Sequence, residues 1–233
     1  MIWLGIETSN APLSIAIVKD GLVLEEIVQN EKLTHSVTVM PAIEELFQKA
    51  NLKPTEIDAI AVSEGPGSYT GLRIGVTIAK TLAWTLKKPL VGVSSLQVLA
   101  ANIQDFNGII CALFDARRQN VYAGAYLGQT LETVIKEHHN SIEGLLDQLQ
   151  ELNTPVKFVG LDIENFKEKI IAQLGDLASF TPISLALPRG SKLIELAQNQ
   201  SLLSIEEVHN FVPQYHRISE AEANWIKDQK KGK

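Results

Sequence analysis

Three apolar-alternating runs open the chain: Ile2-Trp3-Leu4-Gly5-Ile6-Glu7, then Ile15-Ala16-Ile17, then Leu22-Val23-Leu24-Glu25-Glu26-Ile27-Val28. Successive side chains of a strand point to opposite faces, so Ile2, Leu4 and Ile6 share one side, and Ile15 and Ile17 repeat the spacing. Asp20-Gly21, between the second and third runs, is a hairpin turn signal. The first thirty residues therefore read as an antiparallel three-stranded meander.

Working outward, residues 34–50 read as a helix with Val37, Met40, Ile43, Leu46, Phe47 and Ala50 as apolar positions. Pro41 is awkward inside it, so the helix either starts near Pro41 or bends there. A strand over 57–63, a sharp loop at Gly65-Pro66-Gly67-Ser68, a helix over 71–86 and a strand over 89–93 follow. The second half echoes this order more loosely. Strands over 109–114 and 121–126 pair around Arg117-Arg118-Gln119-Asn120, and 133–137 adds a third. Next come a helix over 141–152 with Ser141 as N-cap, a strand over 156–160, helical residues 165–174, and a helix over 188–198 with proline at its start. A repeated meander-plus-βαβ unit is the plan of the actin and sugar-kinase superfamily. That is an α/β fold of two related subdomains, each a mixed sheet flanked by helices, on either side of a nucleotide cleft. The boundary is expected near 102–108, giving halves 1–104 and 105–233. The final segment belongs either with the second half or back on the first.

At 233 residues with 45% apolar and 21% charged content, two compact halves of roughly 100 residues each are expected, with real cores. The single cysteine, Cys111, lies in an apolar run and reads as a buried, inert thiol. Met1 to Glu7 carries no basic n-region or long apolar h-region, and no apolar stretch reaches the roughly 18 residues that a membrane span needs. A cytoplasmic protein without a membrane partner is expected. The net charge of −6 argues against a surface that grips RNA unaided. The dense basic run, Lys230-Lys231-Lys233 with Lys227 before it, reads as a solvated tail.

Two segments could face phosphate. The turn Glu7-Thr8-Ser9-Asn10 has the acidic residue and hydroxyls that suit phosphate or its metal, though turn chemistry alone accounts for it as well. Gly65, Gly67 and Ser68 lie in Gly65-Pro66-Gly67-Ser68-Tyr69-Thr70-Gly71-Leu72-Arg73-Ile74-Gly75, a glycine-rich turn that opens a helix and directs free N–H groups forward. It matches neither the Walker A pattern nor GxGxxG. Gly71, Gly75, Ala79 and Ala83 then form a ridge without side-chain bulk. Each interior glycine costs about 1 kcal/mol against alanine, so a closely approaching backbone should compensate. That backbone is either the chain's own or another subunit's. The helices 34–50 and 71–86 together offer more apolar surface than one sheet face covers. A two-fold pairing through Val37, Met40, Phe47, Gly71, Leu72, Gly75, Ala79 and Ala83 is therefore expected. His35 stands alone and His138-His139 are adjacent, which is not metal-ligand spacing. No GxSxG elbow is present and spacing assigns no acid–base pair, so a protease reading finds no nucleophile.

With these residues in hand, the chain resembles the TsaB family, also called YeaZ. The likeness is carried by Glu7-Thr8-Ser9, by the glycine motif from Gly65 to Gly75, by Asp115-Ala116-Arg117 with Val121-Tyr122, and by Pro213-Gln214-Tyr215-His216-Arg217. The family usually has aspartate where Glu7 stands. The resemblance implies a non-catalytic subunit, without cofactor or metal, in the making of N6-threonylcarbamoyladenosine in tRNA. Its partners would be a TsaD-like transferase, bound through the first half, and a TsaE-like ATPase. It would form a homodimer in isolation and meet tRNA only through the complex. TsaD-like chains carry two metal-binding histidines four residues apart after a proline-started strand. Aligning Pro89 puts Ser95 and Leu99 in their place, and neither is a competent ligand. The competing reading is an actin-like kinase or ATPase, which needs two or more carboxylates around a metal nucleotide.

Overall fold

A computed structural model describes residues 1–30 and 35–216. Arg217 of the last motif, the lysine tail and Thr34 at the expected helix start lie outside the described residues. The first sheet runs β3-β2-β1-β4-β5, from β1 (Ile2–Glu7), β2 (Leu13–Lys19), β3 (Leu22–Gln29), β4 (Ala59–Gly65) and β5 (Leu90–Ser94). The meander β1-β2-β3 is antiparallel, with Ile6 opposite Ile15 and Leu4 opposite Ile17, while β4 and β5 add in parallel. The second sheet repeats this as β10-β9-β6-β7-β8, from β6 (Ile109–Asp115), β7 (Asn120–Leu127), β8 (Thr133–Ser141), β9 (Val156–Val159) and β10 (Ala178–Phe180). Again three antiparallel strands are followed by two parallel ones. This duplicated order is the actin/sugar-kinase-like fold.

Helices cover both faces of each sheet. On the first, α1 (His35–Lys49) and α2 (Tyr69–Leu86) pack one face around Leu4, Ile6, Ile15, Ile60 and Val62. On the second, α4 (Ile142–Glu151) and α5 (Lys167–Leu174) do the same around Cys111, Leu113, Val121 and Phe158. Ser141 caps α4, its Oγ accepting from the Gly144 N–H at 3.0 Å. The short helix α3 (Ser95–Ala100) leaves the first sheet and lays Leu96 and Leu99 on Ile110, Phe114 and Tyr126 of the second, so it ties the halves together. Pro41 lies within α1, which continues through it with Val39, Ala42, Ile43, Leu46 and Phe47 buried.

Of the two places open to the final segment, the first sheet receives it. The helix α6 (Gly190–Ala197) packs Leu193 and Ile194 on Trp3, Ala16 and Val91. The Gly190 N–H donates to Ser14 Oγ at 2.8 Å, and Arg189 pairs with Glu26 at 2.5 Å. Leu203 then bridges to Leu90 at the edge of β5. Beyond α7 (Ile205–Val208), Lys80 Nζ donates to the carbonyls of His209 and Phe211 at 2.9 and 2.7 Å.

The small-residue ridge packs inside the domain, which corrects its expected place at a subunit contact. A Cβ added to Gly71 would collide with the Thr8 carbonyl oxygen, and one added to Gly75 would collide with Thr8 Oγ1. Ala79, Ala83, Leu72 and Phe47 are buried in the same way, so six of the eight expected contact residues are spent in the chain's own core. Val37 and Met40 remain outside, 67% and 48% exposed. A larger residue on this ridge therefore breaks the fold rather than a partner contact. Gly75→Ala must turn the Thr8 hydroxyl away from the Gly71 carbonyl, which it reaches at 2.8 Å. Overpacking of this kind costs about 1–3 kcal/mol. Against this stands the gain of about 1 kcal/mol for alanine over glycine inside a helix. We expect the unfolding free energy of Gly75→Ala to fall by the difference, up to about 2 kcal/mol, read as a lower urea midpoint at unchanged slope; a variant more stable than wild type by the full helix gain would show that Thr8 does not hold the helix.

Candidate functional site

The turn after β1 and the loop after β4 meet face to face. Glu7 is fully buried, although it stands at a strand end where the expected role needs an outward carboxylate. Its longer side chain turns inward: Oε1 accepts from the Ser9 N–H at 2.6 Å, and Oε2 accepts from Ser63 Oγ on β4. The Thr8 hydroxyl donates to the Gly71 carbonyl, and the Ser68 N–H donates to the Ser9 carbonyl at 2.6 Å. Gly67 has no side chain because the Ser9 carbonyl oxygen occupies the volume where a Cβ would be. Ser68 caps α2, its Oγ accepting from the Gly71 N–H at 3.3 Å. The structure thus brings Glu7, Thr8, Ser9, Gly65, Gly67 and Ser68 together, but they hold one another rather than an open cradle. Ser9 Oγ is buried and finds no partner among the described residues.

Burial pushes the Glu7 carboxyl above its ordinary value, against the opposing pull of the Ser63 and Ser9 hydrogen bonds and the His35 charge. His35 itself meets the Asn10 carbonyl at 2.9 Å. A raised carboxyl gives stability that is fully present below its unfolded value and lost as pH rises through the folded one. A glutamine in place of Glu7 would keep an acceptor for the Ser9 N–H without a charge to bury. We expect Glu7→Gln to match wild type on the acid side of the ordinary glutamate range and to gain on it as pH rises above that range, read as urea midpoints between about pH 4 and 8. A difference that ran the other way would mean that the hydrogen bonds outweigh burial.

Other expected site residues fall into the interior. Ser95 and Leu99 are fully buried on α3. Among the described residues no three His, Cys, Asp or Glu side chains gather as a metal site. His138 and His139 lie side by side on β8, with His138 Nδ1 at 2.7 Å from the Lys136 carbonyl and the His139 ring against Tyr122. Cys111 is buried, its thiol pushed up to about 12 by desolvation.

Two features were not read from the sequence. One is an apolar groove of about 590 Å³ between α1 and α2, walled by Met40, Pro41, Phe47, Leu52, Leu82 and Leu86, with Glu44 and Gln48 also lining it. Its apolar positions were legible as helix faces, but which of them stay open was not. The other is a polar cluster where the halves meet. Ser94 Oγ on β5 and the Tyr126 hydroxyl on β7 both donate to Glu137 Oε1 on β8, the latter at 2.7 Å. Glu64 at the end of β4 accepts from Gln214 Nε2 at 2.9 Å. No spacing rule could join positions so far apart in sequence.

With this geometry established, the likeness to known proteins is direct. The family model described as TsaD, tRNA N6-adenosine threonylcarbamoyltransferase, matches residues 23–225. The tRNA threonylcarbamoyladenosine biosynthesis protein TsaB of Bacillus subtilis is 41% identical over 232 residues, covering 99% of this chain and 100% of that protein. YeaZ from Pseudomonas aeruginosa superposes with a TM-score of 0.71 at 23% identity, over 92% of this chain and 100% of the other. The ethanolamine utilization protein EutJ of Carboxydothermus hydrogenoformans reaches 0.51 at 13% identity, over 84% and 90%. The last two speak for the fold, and the near-full-length match decides the family: the chain belongs to the TsaB (YeaZ) family of tRNA threonylcarbamoyladenosine biosynthesis proteins.

Proposed function

We propose that this chain is a non-catalytic subunit that supports a TsaD-like transferase in placing a threonylcarbamoyl group on the tRNA adenosine next to the anticodon. The observation that carries this reading is the filled cradle. The Glu7 carboxylate, the Thr8 hydroxyl and the Ser9 carbonyl are spent on Ser63, Gly71 and Ser68, so most of the turn that would face phosphate is committed to holding the fold. The actin-like kinase or ATPase reading needs those same groups free, and Glu7 would have to leave a buried position to serve it.

The docking surface in this reading is the α1/α2 groove. Half-open apolar walls beside exposed Val37 and Met40 suit a helix pair of a related chain, in the helix-in-groove manner. A two-fold helix pairing would bury on the order of 1,600 Å². Homodimer and heterodimer with the transferase would share this surface and compete for it. A TsaE-like ATPase joins the pair, and tRNA is met only through the assembly, because a chain of net charge −6 is a poor match for phosphate on its own.

The test is threonylcarbamoyl transfer reconstituted from TsaD, TsaE, tRNA and threonylcarbamoyl-adenylate, with and without this chain. We expect no transfer by this chain alone and little transfer by the others without it; full activity in its absence would refute the requirement. Met40→Glu places a charge on the exposed wall of the groove without entering the core. It should fold normally yet bind the transferase at least about ten-fold more weakly, a loss of about 1.4 kcal/mol. Undiminished binding by the folded variant would move the interface elsewhere.

A further inference from the structure

The residues 209–216 form a strap across the first half. Lys80 of α2 holds its start through the carbonyls of His209 and Phe211. Its end lies along β4: the Gln214 N–H donates to the Glu64 carbonyl at 2.7 Å, and Gln214 Nε2 donates to Glu64 Oε1. Tyr215 then rests on Tyr69, ring centroids 5.1 Å apart, while Arg73 lies over the Tyr69 ring and donates to its hydroxyl. Two glycines make the room. A Cβ at Gly65 would collide with the Gln214 carbonyl, and one at Gly92 with Glu64 Oε2 and the Phe211 ring. The strap is therefore fitted around the Glu64 side chain.

From the other half, β8 brings Glu137 to the same place. Its Oε1 accepts from Ser94 of the first sheet and from Tyr126 of the second, so one carboxylate oxygen joins the two halves. Glu64 Oε2 lies over Gly92 and Glu137 is held on Ser94, two residues further along β5 and so on the same face of the strand, which sets the two carboxylates on one side of the cleft within reach of each other's charge. The groups around them are Ser94 from β5, Tyr126 from β7 and Gln214 from the strap, all hydrogen-bond donors without positive charge. Cys111, on the opposite face of the second sheet, is held neutral by burial, and Lys80 is engaged by the strap carbonyls.

We propose that Glu64 and Glu137 form a proton-linked clasp that couples the seating of the 209–216 strap to the closure of the two halves. With a proton on Glu64, the pair carries a single negative charge and the halves and strap sit together. With both ionised, like charges in a half-buried cleft push apart, and the strap that shields Glu64 loosens. Burial, and then the Glu137 charge, raise Glu64 above its ordinary value, and the Gln214 bond opposes them. The closed form therefore binds the proton more tightly than the open form. Closure is favoured on the acid side and weakens as pH rises through the window between the two values. This inference stands apart from the partner reading and uses none of the groove residues.

The test is the hydrogen-exchange protection of the Gln214 N–H in the full chain between pH 4.5 and 8, corrected for the intrinsic exchange rate. One linked proton allows protection to fall by up to about ten-fold per pH unit inside the window. In Glu64→Gln, which keeps the acceptor for Gln214, the fall should vanish and protection should stay at its acid value. In Glu137→Gln, which removes the opposing charge and keeps acceptors for Ser94 and Tyr126, the window should move to lower pH. A wild-type profile without slope, or a Glu64→Gln profile that keeps it, overturns the clasp. Where Glu64→Gln does not fold, an unmoved window in Glu137→Gln overturns it equally.

Discussion

The first half is organised around the contact between Thr8 and the glycine edge of α2. The Thr8 carbonyl and hydroxyl occupy the volumes that side chains at Gly71 and Gly75 would need, and the Ser9 carbonyl does the same at Gly67. Such an approach is open only to glycine, and glycine weakens a helix by about 1 kcal/mol per position. The hydrogen bonds from Thr8 to Gly71 and from Ser68 to Ser9, made in a buried site, offset that cost. Once α2 is drawn down onto β1 and β4, Ala79 and Ala83 follow into the core. The same contact uses the Thr8 hydroxyl and the Ser9 carbonyl of the turn. What stabilises the half is therefore also what fills the place where a ligand would sit.

The two halves carry one plan with two different closures. Each first strand ends in a carboxylate that accepts from the N–H two residues on: Glu7 from Ser9 at 2.6 Å, and Asp115 from Arg117 at 2.7 Å. In the first half the neighbouring group on β4 is Ser63, and the glycine loop seals the turn. In the second half the counterpart region after β9 supplies Asp162, which accepts from the Asp115 N–H at 2.9 Å, and Asn165, which donates to Asp115 Oδ2 at 3.2 Å. No glycine-led helix comes down on that turn. It curls instead through three left-handed residues, Arg117, Arg118 and Gln119, with φ of 68°, 53° and 60°. Left-handed backbone costs roughly 1–2 kcal/mol per non-glycine residue. Asn120 offsets part of this by donating to the Arg117 and Arg118 carbonyls at 3.2 and 3.0 Å.

Much of this was legible because it is local. Alternation placed β1, β2 and β3, Ser141 marked the start of α4, and the loose echo in the second half revealed the duplication. The misreading of the ridge has a physical cause. Small residues at every fourth position state that a backbone comes close, and they are silent on whose backbone it is. Phe47 and Leu72 went the same way, because an apolar position on a helix looks alike whether it faces the sheet or a partner. Strand β10, three residues long with half-buried side chains, carries too short a pattern to register. The cluster of Ser94, Tyr126, Glu64, Glu137 and Gln214 was beyond any pattern, since it exists only once two sheets and the returning segment are placed together.

The returning segment explains why the surface is uneven. Between them, α6 and residues 203–216 cover one face of the first sheet and the far side of α2. Among the described residues the opposite edge of α2 has no such cover. Ile74, Ile78, Leu82 and Leu86 run along it at every fourth position, each only partly buried, and the last two wall the groove beside α1. This stripe lies next to the glycine ridge on the same helix, so α2 is apolar over a wider arc than one sheet can cover. The described returning segment, residues 190–216, is laid elsewhere. An apolar arc left open beside Met40 is what an interaction surface requires. It is the physical ground for proposing the partner surface there rather than on the strap side.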